Sequence, residues 1–264
     1  MKQQTKIPKL KQRQTEILHL LYTYRFLTRT QIQTFLHHKQ FNRIIIWLND
    51  LTKQNYIHRY YDQKFAPSTP AIYSLGLNGR KYLKQDKDKK INKTVLDRVW
   101  RESKLTEAFK LRCIFLADIH LSLLSLTEKT KATLHFYTQT DLYGMDYMIL
   151  DNPDAYFSIE EEDGSTKRYF LDMFDDVRPA ILRGRVRQYL AYYDKNYWQN
   201  HTDKPFPEII LVCPTNTLKN HLFYYIQKKL ERGPDLNFYL TTRELVKTKG
   251  LTKKTLQKVI PKGE

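Results

Sequence analysis

The sequence predicts a mixed α/β chain of the α+β kind in two parts, a small helical domain ending in a β-hairpin and then a mixed sheet flanked by helices. Three observations carry this. Apolar residues recur at helical spacing three times within the first 54 residues, and two short β-prone runs follow. From residue 95 onward the apolar runs read α-β-β-β-α-β-α-β, an order that suits helices packed on a mixed sheet. The 264 residues carry a net charge of +17, and residues 1–90 hold 18 Lys+Arg against 5 Asp+Glu, a net of +13. Residues 91–264 hold 27 bases and 23 acids, a net of only +4. With 41% apolar and 28% charged residues, the composition is that of a globular protein with a real core.

The first helix is expected over residues 10–25, where Leu10, Ile17, Leu18, Leu20, Leu21 and Tyr24 form the apolar stripe. Phe26-Leu27-Thr28 breaks it. Thr30 is the expected N-cap of a short second helix, Gln31 to His37, with Ile32 and Phe35-Leu36 turned inward. His38-Lys39-Gln40 makes the turn into a third helix, Phe41 to Gln54. Its core side is Ile44, Ile45, Leu48 and Leu51, which leaves Gln40, Asn42, Arg43 and Trp47 near the outward start. Two helices joined by a tight turn, the second polar and basic at its start, make a helix-turn-helix, which enters the major groove N-terminus first.

Tyr56 to Tyr61 and Ala71 to Leu75 then read as two strands around a polar tip, residues 62–70. A hairpin directly after a recognition helix is a wing. Arg43 is the candidate base reader, because arginine to guanine is the commonest specific contact, and Gln40 and Asn42 stand beside it. Lys39, Arg59 and Lys64 suit phosphate contacts. Trp47 and Tyr60 fit the core as well as any function. A helix from Leu77 to Leu83 runs into the charged stretch Lys84 to Lys90. The expected boundaries are therefore a winged-helix DNA-binding domain over 1–85, a linker over 86–94 and a second domain over 95–264. Against the DNA reading stand a merely solvated lysine-rich surface and a winged helix that docks protein.

In the second domain one long helix is expected from Val95 to about Leu124. Strands follow at Ala132–Tyr137, Ala155–Ile159, Tyr169–Phe174 and Pro207–Cys213, with a helix at Pro179–Trp198 between the last two. A helix at Asn216–Glu231 and a strand at Asn237–Leu240 complete it. Residues 151–176 hold nine Asp+Glu and two Lys+Arg. Glu160, Glu161, Glu162 and Asp163 suit a solvated hairpin tip. Asp154 and Asp172 differ, because each sits on or beside an apolar strand. Two such carboxylates can hold a divalent metal for phosphodiester hydrolysis, with a nearby lysine to steady water or phosphate. The signature is Pro-Asp, a hairpin, then Asp/Glu-x-Lys. Pro153-Asp154 and Asp172 fit it, but Phe174 stands where the lysine belongs. Arg183, Arg185 and Arg187 are candidates for a displaced positive charge, and Gln188 and Tyr192, a Gln-x-x-x-Tyr pair on one helix face as in some members of this nuclease fold, are candidate catalytic residues beside Asp154 and Asp172. The expectation is a nuclease-like fold that is not an active enzyme. No cofactor is expected, with Mg²⁺ needed only if the site is active.

Taken in order, these features resemble the replication-relaxation family of plasmid and mobile-element proteins. The resemblance rests on residues 14–18 and 24–28, on Ile72-Tyr73-Ser74-Leu75, on Pro153-Asp154-Ala155 and on Tyr169-Phe170-Leu171-Asp172. The helix from Arg185 to Tyr189 matches where the family tends to show a basic residue and a tyrosine. The chain departs at Asp172, where the family usually has Glu, and at Phe174, where it usually has an acid. The resemblance implies a winged helix followed by a restriction-endonuclease-like domain. It also implies DNA binding connected with replication or transfer, with a relaxase or replication protein as partner. The same layout is similar to antitoxins that repress their own operon, for which the partner is a toxin.

Other classes are disfavoured. Cys113 and Cys213 lie far apart, without histidines at metal spacing, and suit buried thiols. His37-His38, His58, His120 and His135 lack the spacing of a relaxase metal site. No apolar stretch reaches about 20 residues and no leader is evident, so a cytoplasmic protein without membrane contact is expected. A homodimer on paired half-sites is open.

Overall fold

A computed structural model describes residues 10–60, 70–86, 91–102, 104–175, 177–231 and 235–261. Lys64, with residues 61–69 of the expected hairpin, and Lys87 to Lys90 of the expected linker lie outside the described residues. The described residues form ten α-helices, a three-stranded antiparallel sheet and a six-stranded mixed sheet. The chain divides into two compact units, residues 1–121 and 122–264.

The first unit begins with α1 (Gln12–Tyr24), which buries Ile17, Leu18 and Leu21 completely. The expected break at Phe26–Thr28 is itself a strand, β1 (Leu27–Thr28). Then come α2 (Arg29–Phe35), α3 (Phe41–Lys53), β2 (Ile57–Tyr60), β3 (Ile72–Leu75) and α4 (Leu77–Gln85). The sheet order is β1-β3-β2, with Leu27 opposite Tyr73 and Arg59 opposite Tyr73 on the other side. The cap of α2 is Thr28, not Thr30. Its hydroxyl accepts from the Gln31 amide at 3.2 Å, and the Gln31 side chain accepts from the Thr28 amide at 2.9 Å. This reciprocal capping box satisfies two otherwise orphaned donors, so the helix starts two residues earlier than expected.

Trp47, for which core and function were both open, belongs to the core. It faces inward, 9% exposed, edge-on to His38 at 5.0 Å between ring centroids. Gly79 explains how α4 sits so close to β2, because a Cβ there would lie 2.2 Å from the Tyr56 carbonyl oxygen. Any larger residue would push the helix away. The expected long helix from Val95 is two, α5 (Lys93–Glu102) and α6 (Glu107–Thr130), broken around Leu105-Thr106. Val95, Leu96 and Val99 join the same core as Ile17, Ile44 and Leu48. The grouping of residue 95 onward with the second domain thus differs from the compact division, which places α5 in the first unit.

The second unit holds β4 (Thr133–Thr138), β5 (Ala155–Glu160), β6 (Thr166–Met173), α7 (Pro179–Asp194), α8 (Tyr197–Thr202), β7 (Glu208–Cys213) and α9 (Asn216–Leu230). It continues with β8 (Phe238–Thr242), α10 (Arg243–Lys249) and β9 (Gln257–Lys258). The sheet runs in that strand order from β4 to β9. β4, β5 and β6 pair antiparallel, β6-β7-β8 pair parallel, and β9 closes antiparallel on β8. Ile209 to Cys213 are all buried, as a central parallel strand covered on both faces requires. Leu182, Val186 and Tyr189 of α7 and Leu222 and Ile226 of α9 share a core with Phe170, Leu211 and Phe238. The expected helix to Trp198 stops at Asp194, because Asn196 adopts a left-handed conformation with φ 54° and restarts the chain as α8.

Candidate functional site

Two groups of side chains were singled out by the sequence, one in each unit. In the first unit, α3 turns Ile44, Trp47, Leu48 and Leu51 to the core. Its opposite face carries Asn42, Arg43, Ile46, Asn49 and Lys53, all exposed, and Lys39 and Gln40 are exposed just ahead of it. Gln40 occupies the N-cap position without a side-chain cap, and no acidic residue stands in the first turn. The positive end of the helix dipole is therefore left uncovered beside Lys39 and Arg43.

Three further residues belong to this surface and were not singled out from the sequence. Phe41 is 47% exposed and Ile46 is 58% exposed. The Arg29 guanidinium lies 4.0 Å from the centre of the Phe41 ring, so α2 adds a cation to the start of α3. Ile46 was legible: it stands two residues after Ile44 and cannot share the Ile44–Leu48–Leu51 stripe. Arg29 and Phe41 meet only through the fold. Arg59 is exposed on β2. Burial raises the Tyr73 phenol above its usual range, and the charges of Arg59 and Arg29 pull the other way. Both arginines thus flank one tyrosine.

In the second unit the sheet register explains how Asp154 and Asp172 meet. Ala155 is opposite Leu171, so one further step sets Asp154 across from Asp172. Both are buried, at 5% and 7% exposure. Asp154 accepts the Met173 amide at 2.7 Å. Asp172 is clasped by α7. Its Oδ2 accepts from Arg185 Nε and from the Tyr189 hydroxyl, both at 2.7 Å, and its Oδ1 accepts from Arg185 Nη2 at 3.3 Å. Arg185 Nη1 also donates to the Leu150 carbonyl at 3.1 Å and to Gln188 Oε1 at 3.0 Å. Burial alone would lower the Arg185 pKa, but the Tyr189 oxygen and the Asp172 carboxylate outweigh it and hold the guanidinium charged. Burial, then the adjacent carboxylate, pushes the Tyr189 phenol far above its ordinary range.

Gln188 and Tyr192 are near the carboxylates in sequence expectation only in part. Gln188 touches the cluster through Arg185, whereas Tyr192 donates to the Tyr147 carbonyl at 2.7 Å. Of the three candidate arginines, Arg185 reaches Asp172. Arg183 lies over the Tyr225 ring and Arg187 is exposed. Phe174 is 9% exposed in the apolar core, with its amide bonded to the Val212 carbonyl at 2.9 Å. A divalent cation needs open carboxylate oxygens. Here an arginine and a tyrosine hold Asp172, and a backbone amide holds Asp154, so the residues as arranged do not fit Mg²⁺. Among the described residues no group of three or more His, Cys, Asp and Glu side chains could hold a metal. Also among them, no helix is long and apolar enough to cross a membrane.

No curated protein matches the chain in sequence. The profile of one family does, and it covers residues 18–209, most of the first unit and both acidic strands of the second. The chain belongs to the replication-relaxation family, a membership that suggests a role in plasmid or mobile-element replication.

Proposed function

We propose that this protein binds double-stranded DNA through a winged helix in its first unit and serves replication or transfer of a plasmid or mobile element. The observation that carries the reading is the outward start of α3. There Lys39, Gln40, Asn42 and Arg43 are exposed around an uncovered helix N-terminus, on a segment with a net charge of +13. The order α1-β1-α2-α3-β2-β3-α4 supports the winged-helix reading, with α3 as recognition helix. In that pose Arg43 takes a guanine edge, Asn42 and Gln40 reach neighbouring bases, and Ile46 covers a thymine methyl. Lys39, Arg29 and Arg59 neutralise phosphates, and Lys64, a phosphate contact in the sequence reading, is expected to add to them.

A six-stranded mixed sheet flanked by helices supports reading the second unit as a restriction-endonuclease-like domain, and its carboxylates are already paired with the chain's own donors. In this reading it is a platform for a relaxase or replication protein and does not cut DNA. The test is direct. The full chain should footprint a discrete site on the element's own DNA, with affinity falling steeply between 50 and 200 mM salt, about 10²-fold for the four phosphate contacts. Incubation with plasmid and Mg²⁺ or Mn²⁺ should leave the DNA intact. Binding indifferent to salt, or a footprint unchanged by Arg43→Ala, would remove the proposal. Cleavage lost in Asp172→Ala would replace the platform with a nuclease.

A further inference from the structure

The face of the second sheet that carries Asp172 is unevenly covered. Over β6, β7 and β8 it is packed by α7 and α9 around Phe170, Leu211 and Phe238. Over β4 and β5 it is left as a hollow of about 390 Å³, roofed by the loop after β4 and by α8. That volume lies in the range of small-molecule sites. Tyr137, Tyr147, Tyr156 and Trp198 supply aromatic walls, and Arg168 and Lys204 bring cations to the same space; the one carboxylate of the lining, Glu160, faces His135 at 3.8 Å.

The walls are held in place from behind. Tyr156 stacks on Tyr137 at 5.8 Å with 23° between the planes, and Trp198 lies 5.2 Å from Tyr156. The Trp198 indole N–H is committed to the Pro205 carbonyl at 2.9 Å and the ring is only 3% exposed, so it backs the hollow and reports on it more than it contacts a ligand. Tyr147 stacks on His201 at 5.7 Å and 15°, and its carbonyl is pinned by the Tyr192 hydroxyl. Tyr137 remains 38% exposed, Lys204 is exposed, and the Arg168 guanidinium lies near Tyr156, where it lowers that phenol's pKa against the rise from burial. Ser158 and Thr202 add hydroxyls to the lining.

Rigid aromatic faces with cations at the rim match one ligand chemistry. A flat heteroaromatic ring stacks on the tyrosines, and an attached phosphate meets the arginine and the lysine. The geometry points to a site for an unpaired nucleotide in this hollow, with the base against Tyr137 and Tyr156 and the phosphate between Arg168 and Lys204. A base inside a duplex cannot enter, because its faces are already stacked on its neighbours. The hollow is therefore specific for a single strand or a free nucleotide, in contrast to the duplex surface proposed on α3, and it stands or falls independently of that surface.

The experiment uses the full chain and two probes, thymidine monophosphate and a short 5′-phosphorylated oligodeoxythymidylate. Tryptophan fluorescence should be quenched saturably by both, and the quench should be lost in Trp198→Phe. Tyr137→Ala and Arg168→Gln should each weaken the oligonucleotide about tenfold, the size expected for one lost stacking or phosphate contact, while affinity for duplex DNA stays unchanged. Lys204→Ala, on an exposed loop where folding is not at stake, should weaken it in the same sense. A tighter oligonucleotide than monophosphate identifies a strand as the source, and equal binding identifies a free nucleotide. Absence of saturable quenching, or unaltered oligonucleotide binding in both Tyr137→Ala and Lys204→Ala, overturns the site.

Discussion

Arg43 and Arg185 are both helical arginines, and their surroundings are opposite. Arg43 stands exposed on the first turn of α3, among Lys39, Gln40 and Asn42, with the helix N-terminus uncapped beside it. Arg185 is 9% exposed and makes four hydrogen bonds to Asp172, Leu150 and Gln188. The first arginine has its donors available to another molecule. The second has spent them inside the fold. Charge alone therefore says little about function: what matters is whether the protein itself supplies the counter-charge. By that criterion Arg43 is open to a partner, as the proposed reading requires, and the Asp172 carboxylate is committed to internal order.

The contrast is broken most severely by removing the internal partner. Asp172→Asn leaves a buried guanidinium without its counter-ion and should cost about 3–5 kcal/mol of stability, read by urea unfolding. Replacing both partners, as Asp172→Leu with Arg185→Met, should cost much less. A single variant as stable as the unaltered chain would show that Arg185 is not committed to Asp172.

A half-buried histidine in the first unit sharpens the same distinction. Burial lowers the His120 pKa from 6.5 to about 4, and its ring is bonded to the Tyr24 hydroxyl. The folded state thus favours the neutral ring. Its contribution is complete above about pH 6.5 and is lost as the pH falls toward 4, a change on the order of 3 kcal/mol. Comparing the acid limb of the unfolding curve with that of His120→Gln isolates it, and identical slopes would exclude burial as the cause.

On the exposed side, effects should appear in binding and not in stability. Arg43→Ala should lower discrimination between the preferred site and a mutated one by about 1–3 kcal/mol, with the melting temperature unmoved. The smallest effect belongs to Lys39→Ala, which should weaken all duplexes alike and reduce the slope of log affinity against log salt by about 0.9. If Lys39→Ala instead altered sequence preference, the division between base readers and phosphate contacts would need redrawing.

Much of this was legible in the sequence because it depends on periodicity. The Ile44–Leu48–Leu51 stripe fixes which side of α3 is outward, and alternation around Ala155 and Phe170 identifies the acidic strands. Pairing of Asp154 with Asp172 follows from a short hairpin. What was not legible depends on side chains meeting across elements. Three arginines on α7 looked equivalent, yet only the register of that helix against β6 brings Arg185 to Asp172. Tyr189 entered through family resemblance, and its bond to Asp172 could not be read from spacing. Trp47 stayed open between core and surface because it sits near Arg43 along the chain, and its position one turn after Ile44 turns it inward. The break between α5 and α6 escaped because the apolar spacing continues through it. The aromatic hollow was hidden for the same reason: Tyr137, Tyr156 and Trp198 come from three elements and converge only when the sheet is built.

The clasp on Asp172 also sets terms for anything that would compete with it. Arg185 is joined to Asp172 by 13 residues of chain, so its local concentration at the carboxylate is fixed by the fold. A dissolved cation arrives at millimolar concentration and meets a rival that never diffuses away. Supplying more of the ion gains only in proportion, starting from a ratio the tether has already set. Access to this carboxylate is governed by the position of one helix face, and a displacement of α7 would do more than any change in the surrounding medium.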